Sequence, residues 1–302
     1  MRLLPILKSI VFFITLSVLG ILSQPYTAFA QKKDKAGKSS GSFTSEVGLQ
    51  LYSLRAEFPK DVEGTLAKIQ QMGIKEIEGG GFYDMKPEDF KKLTEKYGLV
   101  CPSIGAGYER FDKDMEGIIR DAKTMGATYI MVAWIPHKGD DFTIEDAKKA
   151  VSDFNRWGEK LKASGINFCY HIHGYEFRPY ENGTLFDYIV KNTNPKFVNF
   201  EMDVFWTFHG GEDPLRLLKK YPNRFSLMHL KDMKKGEKGN NTGHAPDEWN
   251  VPLGTGQIAY KPLLLEAQRL GVKHYFIEDE HPEAIHQIPQ SLEYIKSLNA
   301  SK

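Results

Sequence analysis

The sequence predicts an α/β fold of one domain, residues 46–302, in which eight parallel strands close into a (β/α)8 barrel. Three observations lead there. Short apolar, β-branched runs alternate with amphipathic helical stretches, and the alternation repeats eight times. Such alternation implies parallel strands joined by right-handed crossovers. The span is about 250 residues, the length that eight such units need.

The strand runs are Val47–Tyr52, Ile74–Glu78, Val100–Ile104, Tyr129–Ala133, Asn167–His171, Val198–Asp203, Phe225–Leu230 and His274–Glu278. Between them the helical stretches are Val62–Met72, Pro87–Tyr97, Lys113–Met125, Ile144–Ala163, Thr184–Lys191, Pro214–Lys220 and Lys261–Leu270, with a last helix near Pro289–Leu298. Gly73, Gly98, Gly126, Gly165 and Gly271 each follow a helix, where a C-terminal cap calls for a left-handed residue. Pro87 and Pro214 sit near helix starts, where a missing amide donor costs nothing. An open doubly wound sheet would place a Gly-rich phosphate turn directly after the first strand. The chain reads Tyr52-Ser-Leu-Arg55 there, and Gly79-Gly-Gly81 after the second strand lacks the spacing, which favours the closed barrel.

Composition sets the outer limits. Of 302 residues, 26% are charged and 41% hydrophobic, which excludes disordered, collagen-like and polytopic membrane classes. The first thirty residues stand apart. Arg2 and Lys8 precede or flank an apolar run, Ile10–Leu22, that leads to Ala28-Phe-Ala30. This is the pattern of a signal peptide, residues 1–30, cut after Ala30, rather than of a retained anchor, and no cysteine follows the run to carry lipid. The mature chain is thus expected to be exported, periplasmic or secreted, without a stable membrane anchor. Residues 31–45 are rich in Lys, Gly and Ser and read as a flexible leader. The formal charge of +1 becomes −1 once Arg2 and Lys8 are lost, which gives no support to nucleic-acid binding. Cys101 and Cys169 lie in apolar strands that are not neighbours and read as buried free thiols.

A barrel does its chemistry at the C-terminal ends of its strands. Strand one ends in Gln50 and Tyr52, and strand four runs on to Trp134 and His137. Strands five to eight end in His171 and His173, Glu201 and Asp203, His229, Lys231 and Asp232, and Glu278 to His281. Residues i and i+2 share a face, so each of these strands turns polar pairs toward one side. One histidine at a strand end is usually just hydrogen bonded. A repeated ring of imidazoles and carboxylates is costly without a cation, and a divalent metal removes that cost.

Five segments taken together resemble the sugar phosphate isomerase/epimerase branch of the xylose isomerase-like TIM barrels. They are Val47-Gly-Leu-Gln-Leu-Tyr-Ser-Leu-Arg55, Tyr170-His-Ile-His-Gly-Tyr-Glu-Phe177, Phe200-Glu-Met-Asp-Val-Phe-Trp206, Leu227-Met-His-Leu-Lys-Asp232 and Ile277-Glu-Asp279. The resemblance implies one divalent metal held at strands five to eight, commonly by Glu, Asp, His and Glu. Those positions fall on His171, Asp203, His229 and Glu278, so a histidine replaces the first glutamate. Epimerases of this family are thought to use the strand-five and strand-eight glutamates as opposed bases. The replacement leaves Glu278 as the single best base, with His173, Glu176, Glu201 or Lys231 as second acid or base. Two imidazoles and two carboxylates suit Mn²⁺, Co²⁺, Fe²⁺ or Zn²⁺ better than Ca²⁺.

Substrate contact is expected from Gln50, Tyr52, His137, Trp206 and Trp249. Trp134, Phe208 and Tyr108 are further aromatic residues near strand ends, and core packing explains Trp134 and Trp206 equally well. The longest loop, about Met233 to Gln257, is expected to be a lid or substrate loop or disordered, and its lysines read as solvated rather than phosphate-binding. The expected function is an exported, metal-dependent enzyme that removes a proton next to a carbonyl of an unphosphorylated sugar, keto-sugar or cyclitol. The outcome is isomerisation, epimerisation, or elimination as in a dehydratase or a lyase on 3-keto-glycosides. The competing class is a sugar-binding barrel without catalysis; a two-lobed receptor lacks its hinge, and action on abasic DNA lacks its basic groove.

Overall fold

The computed structural model describes residues 41–300, and of residues 299 and 300 only the backbone. The expected signal peptide, residues 1–30, and most of the expected leader therefore lie outside the described residues. Eight parallel strands close into a barrel, each beside its neighbour in sequence, with the last returning to the first through Gly48↔Phe276 and Leu49↔Ile277. Counting barrel strands only, they are β1 Gly48–Gln50, β2 Glu76–Gly79, β3 Val100–Gly105, β4 Tyr129–Val132, β5 Asn167–His171, β6 Val198–Asp203, β7 Phe225–Leu230 and β8 His274–Ile277. The (β/α)8 TIM barrel expected from the alternation is the fold observed.

The differences from the expected boundaries have local causes. β1 stops at Gln50 because that side chain accepts the amide hydrogen of Tyr52 and turns the chain into a 3-10 segment, Leu51–Leu54. Gly48 is required by packing, since a Cβ there would stand 2.5 Å from the carbonyl oxygen of Glu76 on β2. The expected helix Lys113–Met125 begins at Met115, and a separate short helix that the sequence reading lacked, Tyr108–Lys113, precedes it. Asp114 ends the short helix and caps the longer one by accepting from the Gly117 amide. A short helix that the sequence reading lacked, Val204–His209, starts directly after β6, capped by Asp203 on the Trp206 amide. The last helix begins earlier than expected, at Ala284, and takes Pro289 into its interior.

Packing also extends the barrel back beyond residue 46. Phe43 meets Tyr275 edge-on at 5.0 Å, and the amides of Thr44 and Ser45 donate to Gln268 Oε1. Inside the barrel, Met131, Cys169, Leu227 and Phe276 form a small apolar layer of their own. Two residues further along the same strands, and on the same face, come Ala133, His171, His229 and Glu278. The polar ring thus rests on an apolar floor. Both cysteines are buried and free, as expected, and burial pushes the Cys101 thiol up to about 12, which removes it as a nucleophile.

The long loop after β7 is ordered. Asp232–Met233 pairs antiparallel with Asn250–Val251, and the Asp232 carboxylate accepts from the amides of Met233, Gly254, Gly256 and Ile258. No helix among the described residues is long and apolar enough to cross a membrane.

Glu176, one of the expected second acids or bases, lies beneath the loop that follows β5 and is fully buried. Its Oε1 accepts from the Tyr170 hydroxyl and, at 3.1 Å, from the His173 amide, while Oε2 has no partner. It braces the loop and does not face the cavity. Burial raises its pKa from 4.5 to about 7. A carboxyl raised by folding binds its proton more tightly in the folded state, so stability present below pH 4.5 is lost as pH rises through about 7. Glu176→Gln keeps the acceptor without the charge. Thermal melts at pH 5 and pH 8 should show the wild type losing about 3 kcal/mol relative to this variant; parallel profiles would remove the argument.

Candidate active site

His171 ends β5, Asp203 ends β6, His229 lies on β7 and Glu278 follows β8, all of them buried. Each offers a ligand atom, and these atoms lie within 4.8 Å of one another. His171 Nε2 is 4.0 Å from Asp203 Oδ2, and His229 Nδ1 is 3.9 Å from the same oxygen and 3.3 Å from Glu278 Oε2. The outer ring nitrogens meet a second tier of carboxylates. His171 Nδ1 is 3.2 Å from Glu201 Oε2, and His229 Nε2 is 2.6 Å from Glu78 Oε2. Glu78 is in turn held by Gln50 Nε2 at 2.8 Å and by the Ser103 hydroxyl. Outer carboxylates of this kind fix the tautomer and direction of an imidazole so that its inner nitrogen points at a cation.

The donor set fits a divalent metal on one further observation. Asp203 Oδ1 accepts the Trp206 amide at 2.7 Å, whereas Oδ2, equally buried, has no hydrogen-bond partner. A buried carboxylate oxygen without a donor, beside two imidazoles and a second carboxylate, is costly unless a cation sits among them. Two nitrogen and two oxygen donors match first-row divalent ions.

A cavity of about 550 Å³ opens above this cluster. His171, His229 and Glu278 reach it from below, with His173, Trp206, Gln50, Tyr52 and Glu280 around them. His173 stacks on Trp206 at 5.5 Å, and burial lowers its pKa to about 3, so the imidazole is neutral. Of the expected substrate contacts, Gln50, Tyr52 and Trp206 line the cavity. His137 and Trp249 do not. His137 donates to or accepts nothing there; its Nδ1 meets the Ile135 carbonyl at 2.6 Å and its ring lies against Trp134. Trp249 turns toward His209. Trp134 and Tyr108 do line the cavity, although the Tyr108 hydroxyl is spent on Asp153 at 2.7 Å.

Glu201 and Lys231, expected as acid or base, are buried behind the lining. Glu201 orients His171, and burial, then the neighbouring Glu78, raise its pKa to about 7. Lys231 Nζ is 2.7 Å from Glu280 Oε1 and 3.6 Å from Glu278 Oε2, over the rings of Phe205 and Trp206. Burial favours loss of its proton, but Glu280 and Glu278 outweigh it and hold the ammonium. Neither lines the cavity, and each contacts a residue that does: Glu201 contacts His171, and Lys231 contacts Glu278.

Several residues of the site escaped the sequence reading. Glu78 lies near the end of β2, and its position on a strand end is the one signal the sequence holds for it. His244, Ala245 and Asp247 reach the cavity from the long loop and carry no spacing signal. Arg55 ties that loop down, donating to Asp247 Oδ2 at 2.8 Å and to the Glu280 carbonyl at 2.7 Å.

Comparison with known proteins agrees with this geometry. The family model of the xylose isomerase-like TIM barrel matches residues 66–298. An inosose dehydratase of Mesomycoplasma hyopneumoniae is 27% identical over 235 residues, covering 74% of this chain and 73% of that protein. The crystal structure of a sugar phosphate isomerase/epimerase from Parabacteroides distasonis superposes with a TM-score of 0.69 at 27% identity, covering 84% of this chain and 97% of that one. The IOLI protein, solved with a binding zinc atom, shares the fold with a TM-score of 0.67 at 14% identity, covering 85% and 98%. The match runs through the strands that carry the cluster, and the chain belongs to the xylose isomerase-like TIM barrel family.

Proposed function

We propose that the protein is an exported, divalent-metal-dependent enzyme that removes a proton next to the carbonyl of an unphosphorylated keto-sugar or keto-cyclitol, with β-elimination as the outcome. One observation carries the reading. Glu278 is the only carboxylate that both belongs to the four-residue cluster and lines the cavity. The other lining carboxylates stand outside the cluster, Glu280 paired with Lys231 and Asp247 with Arg55. A single base suits elimination better than a two-base epimerisation, and the similarity to inosose dehydratases points the same way. The similarity to a sugar phosphate isomerase/epimerase keeps epimerisation as the second reading, in which His173 is the second base.

His171, Asp203, His229 and Glu278 would hold the metal, which when bound supplies a Lewis acid for substrate oxygens and makes the neighbouring C–H more acidic. Glu278 takes that proton. Burial favours its neutral form, but His229 and Lys231 outweigh burial and keep it an anion. The electron pair of the broken C–H bond forms the C=C bond, the β C–O bond breaks, and Glu278 returns its proton to the departing oxygen, so water leaves, or the alcohol where that oxygen is glycosidic. His173, neutral and facing the cavity, orients a substrate hydroxyl, and Trp206 gives the ring a flat apolar face.

Three outcomes test this. In D₂O, purified protein should exchange the α-hydrogen of an inosose or keto-hexose only without chelator, and Glu278→Gln should slow turnover about 10²- to 10⁴-fold; exchange that survives chelation or this substitution rules the mechanism out. Glu78→Ala and Glu201→Ala should weaken Mn²⁺ or Zn²⁺ binding about 10- to 100-fold by calorimetry, and unchanged affinity would remove the second tier from the argument. Export rests on the leader alone, and mass spectrometry of the mature chain should find Gln31 at its N-terminus.

A further inference from the structure

We propose that the substrate is larger than one sugar ring: a second flat ring, joined to the ring that meets Glu278, lies over the ends of β2 and β3 against Tyr108 and Trp134. This rests on the function proposed above and names the substrate class of the same cavity. A hexose has twelve heavy atoms and fills about 200 Å³ at ordinary packing density. The cavity, at about 550 Å³, holds more than two such rings.

Its walls divide in the same proportion. The cluster and most of the other polar groups gather at the ends of β5 to β8, with Gln50 and Tyr52 after β1 and His244 and Asp247 from the long loop. The opposite side is built from Gly80, Gly105, Ala106 and Gly107, followed by the Tyr108 ring and, from the end of β4, Trp134. Glycine is not required there by the fold. A Cβ at Gly80 or Gly107 would meet nothing within 4 Å, and Gly107 has φ −65° and ψ 145°, open to any residue. Glycines that neither backbone strain nor packing demands, beside two aromatic faces, leave room for a ligand. Tyr108 is only 9% exposed, with its hydroxyl held by Asp153 and its ring against Trp157, so it gives the second unit a small apolar contact rather than a hydrogen bond, which suits a C–H or aromatic surface. A pyranose and an aryl group share that chemistry.

The test uses metal-loaded mature protein and three pairs of measurements. Exchange of the α-hydrogen is followed for 3-keto-glucose, for phenyl 3-keto-glucoside and for 3-keto-cellobiose. Binding of glucose, phenyl β-glucoside and cellobiose is measured by calorimetry. Each is repeated with Gly107→Leu and, as a milder probe, Gly80→Ala, with thermal melts to confirm folding. At least one two-ring ligand should exceed its one-ring counterpart tenfold or more in kcat/KM and in affinity, and Gly107→Leu should cut that ratio at least tenfold. Preference for phenyl or for cellobiose identifies the second ring as aryl or sugar. Equal values for one and two rings, or a ratio untouched by both variants, overturn the proposal. Absence of exchange with every keto-sugar sinks the proposed reaction instead, and the binding ratios then decide the second ring by themselves.

Discussion

Three carboxylates, those of Glu78, Glu201 and Asp203, are fully buried in the middle of a barrel, and the arrangement of everything near them follows from how that charge is carried. A carboxylate out of water needs donors or a cation. Two imidazoles meet the need by linking tiers. His171 and His229 each present one nitrogen to an outer acid, Glu201 or Glu78, and the other to the inner pair, Asp203 and Glu278. The outer acids satisfy and aim the rings. The inner acids, with the two imidazoles, form a set that could hold a metal. Beneath them the layer of Met131, Cys169, Leu227 and Phe276 keeps water out and sets the height at which the polar side chains emerge.

The same constraint divides the mouth of the barrel. Strands β5 to β8 are committed to charge, so bulk can be accommodated only on the other side, where β2 and β3 end in small residues. The long loop lines the cavity with His244, Ala245 and Asp247. Asp232 gathers four of its amides, and Arg55 clamps Asp247 beside Glu280. Lys231 occupies the seam between the cluster and this loop, neutralising Glu280 while holding Glu278 as an anion. The result is one carboxylate, Glu278, that belongs to a cluster able to hold a metal and also reaches the cavity.

Much of this was legible in the chain. Three strands, Asn167–His171, Val198–Asp203 and Phe225–Leu230, lie where the apolar runs placed them, because a strand buried on both faces leaves an unbroken hydrophobic signature. His171, Asp203, His229 and Glu278 come together because alternation along parallel strands in register puts strand ends at one level. Where local hydrogen bonds compete with periodicity, the reading slipped. Asp114 and Asp203 each start a helix by capping it with their own side chains, and neither event alters the hydrophobic pattern. His137 and Trp249 do not line the cavity, because position along the chain does not set which way a loop side chain turns.

By itself, the sequence determined the barrel, the number and order of its strands and the residue types at its rim, since periodicity, glycine caps and strand ends are local properties of a chain. Tertiary structure decided which of those rim residues meet the cavity. Glu201 and Lys231 share a strand face with their neighbours, yet they are covered by them, and only packing across strands creates that cover. Glu78 joined the site from the far side of the barrel, through His229, over a separation of 151 residues that no spacing along the chain encodes.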